Sequence, residues 1–182
     1  MENNQNPWIV LDSEVKYKNN WIEVIHRNVL NPSGGKGIYG TVHFKNIAVG
    51  IVPIDTNGYV YLVGQYRFPI EAYSWEIPEG GCPEGEEILD CAKRELKEET
   101  GLIADNWQLI SKLHTSNSVC DEVAYIFMAE SLQETESEPE ETESLKIKKV
   151  SLQEALDLVM KNEITDSMSV AGILKVAKLK GI

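Results

Sequence analysis

The stretch Gly80-Gly81-Cys82-Pro83-Glu84-Gly85-Glu86-Glu87-Ile88-Leu89-Asp90-Cys91-Ala92-Lys93-Arg94-Glu95-Leu96-Lys97-Glu98-Glu99-Thr100-Gly101-Leu102 decides how the rest of the chain is read. After Gly85, Ile88, Ala92 and Leu96 recur every four residues with Leu89 beside them, which is one stripe of an α-helix. Gly101 stands where a left-handed residue ends such a helix. The same helix carries Glu95, Glu98 and Glu99. At about 100° per residue these three share a sector roughly 100° wide, and Glu99 falls inside the apolar stripe. Lys93 and Lys97 point away from them, and Arg94 flanks only part of the cluster.

Such a helix works against itself. Like charges three or four residues apart destabilise it by about 0.2–0.5 kcal/mol per pair. The acids occupy the last turn, where the helix dipole disfavours negative charge. A carboxylate turned toward the core costs much more unless it is paired or coordinates a metal. A divalent cation would resolve all three conflicts, and an oxygen-only ligand set suits magnesium, manganese or calcium rather than zinc. The plainer alternative is a solvated acidic face with Arg94 as its ion-pair partner. Gly80-Gly81 alone reads as a turn. Beside a carboxylate–metal site it lets the backbone approach an ion or a phosphate closely.

Outward from this helix, the N-terminal third reads as strands at 8–11, 14–17, 21–30, 39–44 and 48–54, with a loop at 31–35. Asn57-Gly58 between Ile51-Val52-Pro53-Ile54 and Tyr59-Val60-Tyr61-Leu62-Val63 is a hairpin signature. Further strands are expected at 108–114, 123–129 and 146–150. Ser151 would cap a helix to about residue 161, and a last helix would start near Thr165 or Asp166 and end near 179. Strands, a central helix, more strands and terminal helices, without regular alternation, predict a mixed α+β layer fold rather than a doubly wound sheet.

The net charge of −12 excludes DNA or RNA as a partner in the absence of a basic patch. No apolar run has the length of a membrane helix and the polar N-terminus does not resemble a signal peptide, so the expected location is cytoplasmic. The cysteines, Cys82, Cys91 and Cys120, show no Cys-x-x-Cys spacing and read as reduced packing residues. His26, His43 and His114 are scattered, which argues against zinc. The acidic run at 134–143, interspersed with Ser, Thr and Pro, reads as a solvated loop.

The spacing from Gly80 through Glu86, Arg94-Glu95-Leu96 and Glu98-Glu99 to Gly101-Leu102 matches every fixed position of the Nudix box, Gly-x5-Glu-x7-Arg-Glu-U-x-Glu-Glu-x-Gly-U with U aliphatic. The chain therefore resembles the Nudix hydrolases. Gln65-Tyr66-Arg67 and Trp75-Glu76-Ile77-Pro78-Glu79-Gly80-Gly81 are similar to the branch acting on ADP-ribose and nucleotide sugars. The resemblance implies an α/β/α sandwich around a mixed sheet at 46–182, with a small β-strand extension at 1–45 that helps form a homodimer. It also implies hydrolysis of a nucleoside diphosphate sugar to a nucleoside monophosphate and a sugar phosphate. The alternatives are a dinucleoside polyphosphate or nucleoside triphosphate pyrophosphohydrolase, and a catalytically silent nucleotide sensor.

On this resemblance Glu95 and Glu99 hold Mg2+, or Mn2+ in its place, with Glu98 as a further or water-mediated ligand and the Glu79 carbonyl completing the shell. Arg94 orients a carboxylate, and Glu86 pairs with it or supports the loop. Arg67 clamps phosphate, with Gly81 at the substrate. Glu122, in Asp121-Glu122-Val123, is the general base or the group orienting the attacking water. The chain departs from the ADP-ribose pattern at Ser116-Asn117-Ser118-Val119, where those enzymes typically carry Pro-Gly, and this points to a broader or different nucleotide sugar.

Overall fold

The structure, a computed structural model, describes residues 5–135 and 145–182, which form ten β-strands, three α-helices and one 3₁₀ turn. The acidic run at 134–143 lies outside the described residues beyond Thr135. The chain divides into two units, one holding the residues up to Asn46 together with Ser116–Glu122, the other Ile47–Thr115 with Val123–Ile182. Among the described residues no helix is long and apolar enough to cross a membrane.

The first unit is an antiparallel sheet of β1 (Ile9–Lys18), β2 (Ile22–Leu30) and β3 (Lys36–Phe44), with β2 in the middle. Asp12-Ser13 reads in sequence as a gap between two strands, yet β1 runs through it. Asp12 pairs with Asn28 on β2 and accepts a hydrogen bond from its Nδ2 at 2.8 Å, so the polar side chain supports the ladder. Ser116–Glu122 packs on β3: the Phe44 N–H donates to Asp121 Oδ1 at 3.0 Å and the Val42 N–H to Val119 O at 2.9 Å.

The second unit follows with β4 (Ile47–Pro53), β5 (Tyr59–Arg67), β6 (Ala72–Glu76), β7 (Glu79–Cys82), α1 (Ile88–Thr100), β8 (Leu102–His114), β9 (Val123–Glu134), β10 (Lys146–Ser151), α2 (Leu152–Met160) and α3 (Ser167–Lys180). The short β6 and β7 have no pattern of their own in the sequence. The Asn57-Gly58 turn forms, with Gly58 at φ +80° and its N–H bonded to Asp55 O at 3.0 Å. The hairpin ladder expected beyond it does not. One bridge, Ile54 to Val60, joins the strands before they part into different sheets. The cause is competition: β4 is paired on both edges by β7 and β9, and β5 by β6 and β10.

The sheet β7-β4-β9-β8 is mixed, since β4 and β9 run parallel and the other pairs antiparallel. Successive side chains of β4 and β9 enter opposite cores. Val49, Ile51, Phe127 and Ala129 pack with Ala92 and Leu96 of α1. Val52, Ala124, Ile126 and Met128 pack with Ile173 and Val176 of α3 and Ala155 of α2. The sheet is thus covered by α1 on one face and α3 on the other, the α/β/α sandwich that the box implied. Gly101, at φ +67°, closes α1 through its N–H to Lys97 O at 2.8 Å. Asp166 opens α3 by accepting the Ser169 N–H at 2.7 Å.

The approach of α3 to the sheet is set by Gly172, where an added Cβ would lie 2.9 Å from Val52 Cγ2 and 3.2 Å from Ile126 Cγ2. Gly172→Val should therefore lower stability by about 1–3 kcal/mol through overpacking, read from urea unfolding. A midpoint equal to that of the wild type would refute this reading of the interface.

Candidate active site

The site is built where the short strand β7 passes under α1. Pairing of Gly80 with Val49 and of Glu79 with Gly50 fixes β7 to the buried β4. A Cβ at Gly80 would overlap the Glu95 carboxylate, so glycine is what lets a helix acid rest against the strand backbone. One turn on, Glu99 is only 3 % exposed, and its Oε2 accepts the Glu79 N–H at 2.9 Å. Glu95 and Glu99 thus meet the same strand.

Arg94 reaches further than the helix wheel suggests. Its Nε and Nη2 donate to the two oxygens of Glu86 at 3.1 and 3.0 Å. Its Nη1 donates to Glu95 Oε1 at 2.8 Å and Glu98 Oε2 at 2.9 Å, and Nη2 also reaches Gly81 O at 3.3 Å. One planar fork therefore ties the turn, the strand and the helix together. The hydrogen bonds from Arg94 hold the Glu86 carboxyl below its ordinary range.

A second arginine organises the other side of β7. Arg67 Nε lies 3.1 and 2.9 Å from the oxygens of buried Glu76, and Nη2 lies 2.6 Å from Glu76 Oε2 and 2.7 Å from Glu79 Oε1. Its side chain remains 35 % exposed. It lines a cleft of about 350 Å³ with Glu76, Glu79, Thr165, Asp166 and Ser167. The Glu79 side chain is only 10 % exposed, and its Oε2 is buried without a hydrogen-bond partner. Burial, then the negative charges of Asp166 and Glu76, push its carboxyl well above the usual range despite Arg67. A cation arriving there would favour the charged carboxylate and satisfy the oxygen. Carboxylates alone, an orphaned oxygen and the Gly80 cradle under Glu95 fit a hard divalent ion such as magnesium or manganese.

The fold thus gathers Arg67, Glu79, Gly81, Arg94, Glu95, Glu98 and Glu99 in one unit. Glu122 is carried by the first unit, half-buried at the end of Ser116–Glu122. Sequence reading missed the roles of Glu76 and Asp166. Glu76 had one usable signal, an acid two residues from Ser74 on a strand face that proves buried. A larger cleft of about 390 Å³ in the first unit has no carboxylate cluster, and its acid, Asp121, is tied to His43 Nδ1 at 2.6 Å.

Gly80→Ala should displace the Glu95 carboxylate and weaken Mn2+ binding by about 10-fold or more, measured by electron paramagnetic resonance of the free ion. Unchanged affinity would show that the contact between Gly80 and Glu95 does not shape the site.

The NUDIX domain family matches residues 44–168. The ADP-ribose pyrophosphatase of Bacillus subtilis is 36% identical over 128 residues, 69% of this chain and 69% of that protein. The ADP-ribose pyrophosphatase of Mycobacterium tuberculosis is 36% identical over 133 residues, 71% of this chain and 64% of that protein. A crystal structure of an ADP compounds hydrolase superposes with a TM-score of 0.87 at 25% identity, covering 98% of this chain and 97% of that one. The matched segment contains β7, α1 and the carboxylates they bring together, and the chain belongs to the Nudix hydrolase family.

Proposed function

We propose that the enzyme hydrolyses the diphosphate bond of an ADP-ribose-type nucleoside diphosphate sugar, giving a nucleoside monophosphate and a sugar phosphate. The observation that carries this reading is the approach of two α1 acids to the backbone of β7, Glu95 against Gly80 and Glu99 on the Glu79 N–H. Glu95, Glu98, Glu99 and Glu79 would hold magnesium or manganese. When bound, such a cation neutralises phosphate charge and eases deprotonation of the attacking water. Arg94 keeps Glu95 and Glu98 in place. Arg67, oriented by Glu76, turns its exposed face to a phosphate in the cleft, and the Gly81 backbone lies beside the substrate. Glu122 accepts the proton of the attacking water.

The names of the two bacterial relatives support ADP-ribose as the reference substrate. Ser116-Asn117-Ser118-Val119 in place of Pro-Gly, and a likeness to an ADP compounds hydrolase, favour a broader range of nucleoside diphosphate sugars than ADP-ribose alone. The intact acids oppose a silent sensor. A small-molecule substrate rather than nucleic acid suits the charge of −12. The cytoplasm is the proposed compartment, supported by the thiol state of Cys82 and Cys91.

The first unit is the proposed dimerisation element. Its edge strand β1 is exposed throughout and carries Ile9, Val10, Leu11, Val15 and Tyr17, a surface suited to a second copy. Light scattering should give twice the chain mass, and a monomer at micromolar concentration would exclude this arrangement.

Glu99→Gln should lower kcat with magnesium by about 100-fold or more, followed by chromatography of the nucleoside monophosphate. Near-normal turnover would remove Glu99 from the metal site. In a panel of ADP-ribose, ADP-glucose, GDP-mannose, a diadenosine polyphosphate and dGTP, ADP-ribose should give the highest kcat/KM. A preference for dGTP would overturn the substrate class.

A further inference from the structure

Cys82 and Cys91 lie inside the box, yet no role described for it uses them. Cys82 ends β7 and is 2 % exposed, while Cys91 sits in the first turn of α1 at 0 %. Glu86 lies between them in the turn, whose corner is set by Gly85 at φ +92° and by the Glu86 N–H bonded to Pro83 O at 3.2 Å. The two sulfurs and a Glu86 carboxylate oxygen all lie within 4.8 Å of one another. Among the described residues, the box glutamates, spread around Arg94, do not converge so closely.

The donor set is two sulfurs and one oxygen, which suits softer ions than the all-oxygen site does. Burial pushes both thiols up, so they remain protonated and poor nucleophiles at neutral pH. That disfavours oxidation of the pair. It still allows ligation, in which each sulfur gives its proton to solvent as the metal–sulfur bond forms.

Arg94 now occupies this corner. Its Nη2 lies 3.3 Å from Cys91 Sγ while its fork grips Glu86. A divalent cation bound by the same three side chains would compete with the guanidinium for the Glu86 carboxylate. Since Arg94 also holds Glu95 and Glu98, its displacement would disturb the acids on which turnover depends.

We propose that Cys82, Glu86 and Cys91 form a second cation site, selective for thiophilic divalent ions of the zinc and cadmium class, whose occupation takes Glu86 from Arg94 and lowers turnover. The site goes beyond the proposed hydrolysis, and its binding test does not depend on the substrate.

Cobalt(II) alone, titrated into the full chain, should produce a near-ultraviolet thiolate-to-cobalt charge-transfer band. The band should persist in Cys120→Ala and vanish in Cys82→Ala and in Cys91→Ala, with the fold of each checked by circular dichroism. A wild type without the band overturns the site, whatever the variants do. So does a band that survives both Cys82→Ala and Cys91→Ala. In a separate assay with excess magnesium, zinc should reduce wild-type turnover several-fold. The ratio of rates with and without zinc should return to one in Cys91→Ala. Equal zinc inhibition of the wild type and Cys91→Ala would place the inhibiting ion on the glutamates and overturn the regulatory claim.

Discussion

The Glu95 carboxylate rests on the backbone of Gly80, a contact closed to any residue with a side chain. It brings a helix acid onto a strand, and Glu99 repeats the approach one turn later through the Glu79 N–H. Both contacts require that β7 stay in register beneath α1. That register comes from β4, the strand that β7 flanks on one edge and β9 on the other. With Val49 and Ile51 facing one core and Val52 the other, β4 cannot slip by one residue without turning its apolar side chains to the wrong layer.

The acids make this arrangement electrostatically unfavourable, and the two arginines offset only part of it. Arg94 serves Glu86, Glu95 and Glu98, and Arg67 serves Glu76 and Glu79. Glu99 and Asp166 add further negative charge around Glu79. The raised carboxyl of Glu79 reflects its burial first and then that excess, since both disfavour the charged form. Apolar packing of α1 through Cys91, Ala92 and Leu96 supplies the free energy that lets the helix tolerate its own acids.

What could be read in the sequence was whatever depends on local periodicity. The stripe Ile88, Ala92 and Leu96 placed α1, Gly101 ended it, and the phase of Glu99 put a carboxylate in the apolar sector, where the structure buries it. What could not be read depends on pairing between distant segments. Asn57-Gly58 makes its turn, but the hairpin fails because β4 and β5 each have two better partners. Arg67 reads as a phosphate clamp, but the acid that orients it stays hidden until β6 brings Glu76 beside it. Cys82 and Cys91 lack the spacing of a metal motif, and only the strand–turn–helix corner brings their sulfurs together.

The same charge excess constrains how a diphosphate enters. The cleft beside Arg67 is walled by Glu76, Glu79 and Asp166, so a bare polyanion meets more negative charge than Arg67 can cancel. Cations held by the acids would reverse that field, and metal and substrate binding would then be thermodynamically linked, each raising the affinity of the other by the same factor. Control of entry therefore lies outside the box: Glu76, Glu79 and Asp166 make the cleft repulsive to an anion, and Arg67 is the side chain in its wall that would receive the phosphate once cations had offset that charge.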